Sequence, residues 1–174
     1  LVTSLGDSSI DLSRIDADIL TAEVMETVEL DSSTDLGNFN VDLNGGNVTL
    51  TLSAAQATGR QIREVQADNT VTVTGLNETL DADLSKVNVS NMAADLNVDG
   101  GVTFVGNLGD FDITVSDSDP ETVNTLTFGE GAQIASEVGS IDVEGDTNVT
   151  TTAAIASGVN MTLTNGDATI TAFE

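Results

Sequence analysis

The chain has 174 residues, 39% of them hydrophobic and 3% aromatic, with 29 acids against four bases and a net charge of −25. It contains neither cysteine nor histidine, which removes disulfides, thiolate metal sites, Cys nucleophiles and His-based triads. So large an acid excess repels nucleic acid and anionic membrane, both bound through clustered Lys and Arg, and no apolar run approaches the ~20 residues of a membrane span.

In chain order, the first patterned segment is Ile19–Val28, a short helical candidate carrying Ile19, Leu20, Ala22, Val24 and Met25. Strands are predicted at Asn38–Leu43 and Val48–Leu52, where apolar residues alternate with polar ones. A second helical candidate, Ser53–Val65, follows with Ala54, Ala55 and Ala57. Further strands are predicted at Thr70–Thr74, Lys86–Ser90, Gly101–Val105, Asp110–Val115, Thr125–Phe128, Ser140–Val143 and Ala168–Phe173. Gly45-Gly46, Gly100-Gly101 and Asn165-Gly166-Asp167 punctuate them as turns.

The same blocks return at an offset of 72. Asp11-Leu12-Ser13-Arg14-Ile15-Asp16 reappears as Asp83-Leu84-Ser85-Lys86-Val87-Asn88, and Leu36-Gly37-Asn38-Phe39-Asn40-Val41 as Leu108-Gly109-Asp110-Phe111-Asp112-Ile113. Gly59-Arg60-Gln61-Ile62 and Ser85-Lys86-Val87-Asn88 repeat at that offset too. The organisation read from this is a lead-in or cap at 1–10, repeats at 11–82 and 83–154, and a partial repeat or cap at 155–174. Val87-Asn88, Val123-Asn124, Ile141-Asp142 and Val159-Asn160 are spaced 36, 18 and 18, which suggests an 18-residue rung, four to a repeat. The expected fold is all-β: an elongated, right-handed parallel β-solenoid, in which these four aliphatic residues share one inward column. Tandem β-sandwich-like modules are the alternative. Repeats that join without a Pro- or Gly-rich linker favour the solenoid.

The segment Thr49-Leu50-Thr51-Leu52-Ser53-Ala54-Ala55-Gln56-Ala57, then Thr70-Val71-Thr72-Val73-Thr74-Gly75-Leu76 and Ala82-Asp83-Leu84-Ser85, resembles the strand–AAQA–strand–DLS pattern of bacterial tandem-repeat surface proteins of the adhesin and haemagglutinin-like class. The resemblance implies an extracellular shaft, adhesin or matrix element without a catalytic residue set.

Chemistry is read against that background. Carboxylate pairs are too abundant here to single out a glycosidase site, and neither Trp nor Tyr is present to stack on a sugar. Arg60 and Arg63 are the one basic pair that a lyase-like site could use. No enzyme is expected. Calcium is the better ligand, because hard cations take six to eight oxygens. Asp110, Asp112, Asp117, Asp119 and Glu121 fall close together in the chain and form the candidate calcium set; Asp81, Asp83 and Asp95 are a weaker one. Thr-x-Thr segments at 49–51, 70–72, 72–74, 125–127, 150–152, 162–164 and 169–171 fall at unrelated phases of an 18-residue rung and read as ordinary β propensity. The expected function is a filament, sheath or surface-layer subunit, or an adhesin shaft, that self-associates through strand edges in a saline exterior. A calcium- or glycan-binding adhesion module is the competing reading. Leu1 in place of Met reads as a processed product or part of a longer chain.

Overall fold

The computed structural model describes residues 11–16, 20–118, 122–135, 140–145, 147–164 and 169–173. The expected lead-in at 1–10 and the Asn165-Gly166-Asp167 turn lie outside the described residues. The chain forms β1 (Thr21–Val24), β2 (Val28–Glu29), β3 (Asn40–Leu43), β4 (Thr49–Ser53), helix α1 (Ala54–Ala57), β5 (Ile62–Glu64), β6 (Thr70–Thr74), β7 (Val87–Asn88), β8 (Asn91–Asn97) and β9 (Val102–Phe104). Then come β10 (Asp112–Ser116), β11 (Asn124–Phe128), β12 (Ser140–Glu144), β13 (Thr147–Thr152), helix α2 (Ala153–Gly158), β14 (Asn160–Thr164) and β15 (Thr169–Phe173).

These strands build three sheets: β1-β3-β5-β7, the seven-stranded β14-β12-β10-β8-β6-β4-β2, and β15-β13-β11-β9. Among the described residues every strand pairing is parallel. A parallel partner reached only after a full circuit of chain defines a β-solenoid, as the sequence predicts. Strands of the first sheet lead into the second along the N-terminal half. From β8 onward, strands of the second lead into the third.

Alternation along each strand sends one side chain in and the next out, so in-register pairing stacks like on like. Ala22, Val41, Ile62 and Val87 form one inward column of the first sheet. Val73, Ala94, Ile113 and Ile141 form one in the second, and Val102, Leu126 and Val149 begin one in the third. The core is aliphatic, with Phe39, Phe104, Phe111 and Phe128 fully buried among it. Phe104 and Phe128 meet edge to face at 6.4 Å on adjacent coils.

The expected column is corrected. Val87 lies inward in the first sheet and Ile141 in the second. Val123 is 57% exposed ahead of β11, and Val159 ends α2. Nor do the coils keep the expected 18-residue rung. Partner positions differ by 19 (Thr21↔Asn40), 21 (Thr49↔Thr70) and 28 (Ile113↔Ile141). Coil length varies because corners absorb insertions without disturbing strand register.

One corner keeps a steadier beat. Asp11 bridges Asp35 and Asp83 bridges Asn107, an offset of 24 in both cases, and Asn107 bridges Gln133; Gly59 N–H donates to the Asp83 carbonyl between them. The 72-residue repeat is therefore three coils of that length. At this corner each Asp or Asn side chain accepts from the backbone N–H two positions on: Ser13, Gly37, Ser85 and Gly109. Such turns satisfy the backbone locally where the chain leaves a strand. A buried Leu follows in each (Leu12, Leu36, Leu84, Leu108). The Ser and Gly alternate for a reason of space. A Cβ on Gly37, whose φ is +50°, would sit 2.8 Å from Ser13 Cα; on Gly109 it would sit 3.3 Å from Ser85 Cα. Glycine lets the second coil close down on the serine of the first.

Both helical expectations shrink. The described part of Ile19–Val28 holds β1 and the start of β2, with Ala22, Val24 and Val28 inward and Thr21 and Glu23 outward. Ser53–Val65 holds a single turn, α1, then β5. Ser53 and Gln56 form a reciprocal capping box, and Gln56 Nε2 donates to the Asp31 and Thr34 carbonyls of the previous coil at 2.9 and 3.0 Å.

Asn69, fully buried, joins three coils. Its Oδ1 accepts from Val48 N–H at 2.9 Å, its Nδ2 donates to the Gln66 and Leu43 carbonyls, and its own carbonyl accepts from Asn91. Asn124 does the same for Gly100 at 3.0 Å. By contrast, the buried Thr147 hydroxyl has no partner. Asn69→Ala strands the Val48 donor and should cost about 2–3 kcal/mol in urea unfolding. Thr147→Val removes an unpaired hydroxyl and should raise stability by roughly 1 kcal/mol. Equal losses from both would contradict this hydrogen-bond assignment.

Candidate functional site

The candidate calcium set is divided by the fold. Asp110 precedes β10 and Asp112 begins it, whereas Asp117 follows its last residue. Five extended residues span about 16 Å, far more than two ligands of one ion at 2.3–2.6 Å can bridge. Asp112 Oδ1 accepts from Ser140 N–H and Oγ at 3.1 and 2.9 Å, and Asp117 Oδ2 accepts from Asn124 Nδ2 at 2.9 Å. Asp119 and Glu121 lie outside the described residues. The described acids of the set are thus not one coordination shell, and the physical reason is that an intervening strand holds its ends apart. Among the described residues no group of three or more acids is arranged to hold a metal. In the weaker set, Asp83 belongs to the corner turn and Asp95 faces outward from β8.

The two arginines are structural. Arg60, half-buried, donates from Nε to the Gln56 carbonyl at 2.7 Å and from its terminal nitrogens to the Phe39 and Gly37 carbonyls. Burial pulls its pKa down and Asp35 opposes this. It ties carbonyls of adjacent coils together, and Lys86 Nζ does likewise at Gly59. Arg63 grips Asp42 through two hydrogen bonds, at 2.7 and 2.8 Å, on an exposed surface where such a pair contributes little.

A concavity of about 630 Å³ lies along β2 and the ends of β4 and β6, lined by Thr27, Glu29, Asp31, Thr51, Ser53 and Thr74 among others. It offers hydroxyls and the carboxylates of Glu29 and Asp31, and neither Lys nor Arg lines it. A smaller one of about 340 Å³ includes Asp110 and Asp112 with Asn88, Ser90 and Asn91. Among the described residues no helix is long and apolar enough to cross a membrane.

Serine hydrogen bonds hold the carboxyls of Asp11, Asp31, Asp83 and Asp99 below the usual range. The first cause at each is a serine side chain: Ser13, Ser33, Ser85 and Ser118. These are turn groups, and their perturbation is structural.

The feature that sequence reading missed is the outer face of the third sheet. Thr103 pairs with Thr127, Thr127 with Thr150, and Thr150 with Thr171, an unbroken ladder over four coils. Thr125 pairs with Asn148 beside it. The Thr-x-Thr segments at 49–51 and 70–74 are likewise in register. They look out of phase only against a uniform 18-residue rung.

Comparison with protein-family models, with curated proteins and with solved structures finds no match to this chain.

An Asp whose folded pKa is depressed adds stability above its unfolded pKa of about 3.9, and that stability is lost as pH falls through the folded value. Asp83→Asn keeps the turn acceptor but removes the charge. In 0.5 M salt, where repulsion is screened, wild type should therefore melt above Asp83→Asn at pH 6 to 7. The gap should narrow as pH falls below about 4; one that stays constant through that fall would refute the assignment. Asp95 and Asp142 pair with either side of Thr114 on the second sheet's outer face. Asp95→Asn/Asp142→Asn should raise the melting temperature in ~0.01 M salt and match wild type near 0.5 M, because the Debye length shrinks from ~30 Å to a few ångströms. A lower melting temperature at low salt would mean these acids are bound to something that stabilises the fold.

Proposed function

We propose that this chain is an extracellular structural element, a stretch of shaft in a large adhesin or a subunit of a filament, sheath or surface layer, that joins to further coils through its open strand edges. One observation carries the reading. Val115 and Val143 are completely buried in one inward column, and their next neighbour, Leu163 on β14, is 42% exposed. Met161, in the adjacent column, is only half-buried. β14 and β15 are outermost in their sheets among the described residues, with a backbone edge and an apolar column both turned outward. A further coil, from this chain or another, satisfies both at once.

The rest of the molecule suits load-bearing. Buried Gln56, Asn69 and Asn124 make bonds between coils, and Arg60 and Lys86 clamp carbonyls. The acid excess suits a saline exterior, where salt screens self-repulsion. Glycan recognition is the weaker reading, because Phe39, Phe104, Phe111 and Phe128 are all buried and the chain has neither Trp nor Tyr. Calcium is weaker too, because the described acids do not converge.

Size-exclusion chromatography with light scattering, at high protein concentration in 0.5 M salt, tests the edge. Wild type should form species longer than the monomer. Met161→Lys/Leu163→Lys, which places charge on the open end, should shorten them while shifting the melting temperature little. Wild type that stays strictly monomeric under these conditions would overturn end-to-end assembly.

A further inference from the structure

Charge is distributed unequally over the three outer faces. The first sheet turns Glu23, Asp42 and Arg63 outward, and the second Glu29, Asp95, Asp112, Asp142 and Glu144. On the third, the described outward positions of β9, β11 and β13 with the residues flanking them are Thr103, Val105, Val123, Thr125, Thr127, Asn148, Thr150 and Thr152, and Thr171 follows on β15. None is charged. Strand propensity accounts for threonine there but not for the absence of acid, since β10 carries both Asp112 and Thr114 on its outer side. Val105 and Val123 are 41% and 57% exposed, so two of the molecule's few exposed large apolar side chains flank this face.

We propose that the outer face of β9-β11-β13-β15 is a lateral contact between copies of this chain. Two bodies of charge −25 can approach closely only where no carboxylate must be stripped of water against another. Depletion of charge at the centre, with apolar groups exposed, is the composition of a protein interface core. A cationic partner would select the acidic faces instead, and a polyanion is repelled by all three. The four strands at ~4.8 Å and five residues at ~3.3 Å cover roughly 300 Å², below the ~800 Å² per partner of a stable complex. The contact is therefore weak for one module, and several modules on one chain would multiply it. Its occupant rests on the self-assembly reading, but its surface is a different one, so each can fail alone.

The experiment is sedimentation equilibrium of the whole chain at millimolar concentration, from ~0.01 to 0.5 M salt. The background is Met161→Lys/Leu163→Lys, which closes the end. Self-association should appear as salt rises and weaken at least tenfold on adding Thr127→Asp/Thr150→Asp. The control Thr51→Asp/Thr72→Asp, on the second sheet, should leave it unchanged, and circular dichroism checks that each variant folds. Association that is absent, or that survives the third-sheet substitutions, overturns the proposal. So does an inhibition of ice growth by the monomer that only the third-sheet substitutions abolish, which would assign the threonine array to a crystal surface.

Discussion

A parallel strand finds partners for its N–H and C=O groups only in the coils before and after it. Each coil must therefore return to nearly the same place after a circuit of variable length. What returns it is the corner at which Asp11, Asp35, Asp83 and Asn107 turn the chain on their own side chains. Local hydrogen bonds fix the direction there, and the leucine that follows is driven inward. With that point set, the inward columns on the three sheets fall into register, and burial of aliphatic surface does the rest. The loops elsewhere are free to differ, which is why Thr21 meets Asn40 after a short circuit and Ile113 meets Ile141 after a much longer one.

Inter-coil polar contacts concentrate at corners for a related reason. Strand interiors satisfy their own backbone, whereas corners leave amides and carbonyls facing a dry interior. Asn69, Asn124 and Gln56 reach into the neighbouring coil to meet them, and Arg60 and Lys86 cap carbonyls from outside. Three of the four bases sit beside a carbonyl or a carboxylate: Arg60 and Lys86 on carbonyls, Arg63 on Asp42. Scarcity of base is thus compatible with the fold, because carbonyl clamping takes so few.

Much of the fold is legible in the sequence, and the failures have physical causes. All nine predicted strands coincide with observed ones, because alternation and β-branching report a half-buried sheet position directly. The 72-residue offset spans three coils of 24 at the corner, and it places serine at 13 and 85 and the glycine that packs on it at 37 and 109. The 18-residue rung fails because Val87, Val123, Ile141 and Val159 are each a β-branched residue before Asn or Asp, a pattern that strand, corner and helix end all produce. The better signal is Asp-or-Asn, Leu, Ser-or-Gly at 11, 35, 83 and 107, where three consecutive residues have distinct jobs. α2 shares its signal with α1: Thr152-Ala153-Ala154 and Ser53-Ala54-Ala55 both cap a turn after a strand. Of the acid cluster, Asp112 begins β10 and Asp117 follows its end, because an extended strand carries successive residues ~3.3 Å apart.

The charge distribution is the part least visible beforehand, since it appears only once faces are assigned. On β12 acids occupy alternate outward positions, Asp142 and Glu144, and on β11 and β13 the equivalent positions are Thr125, Thr127, Asn148 and Thr150. Periodicity of two describes both strands equally well. Only the parallel register separates them into an acidic outer face and, among the described residues, an uncharged one. A chain carrying so much like charge needs somewhere to place it at low cost, and corners and two faces supply that room. Among the described residues the third face is free of it, a departure from the composition of the whole that corners and the other two faces make possible. The lateral contact we propose there is the one place where two such bodies could meet without stripping water from a carboxylate.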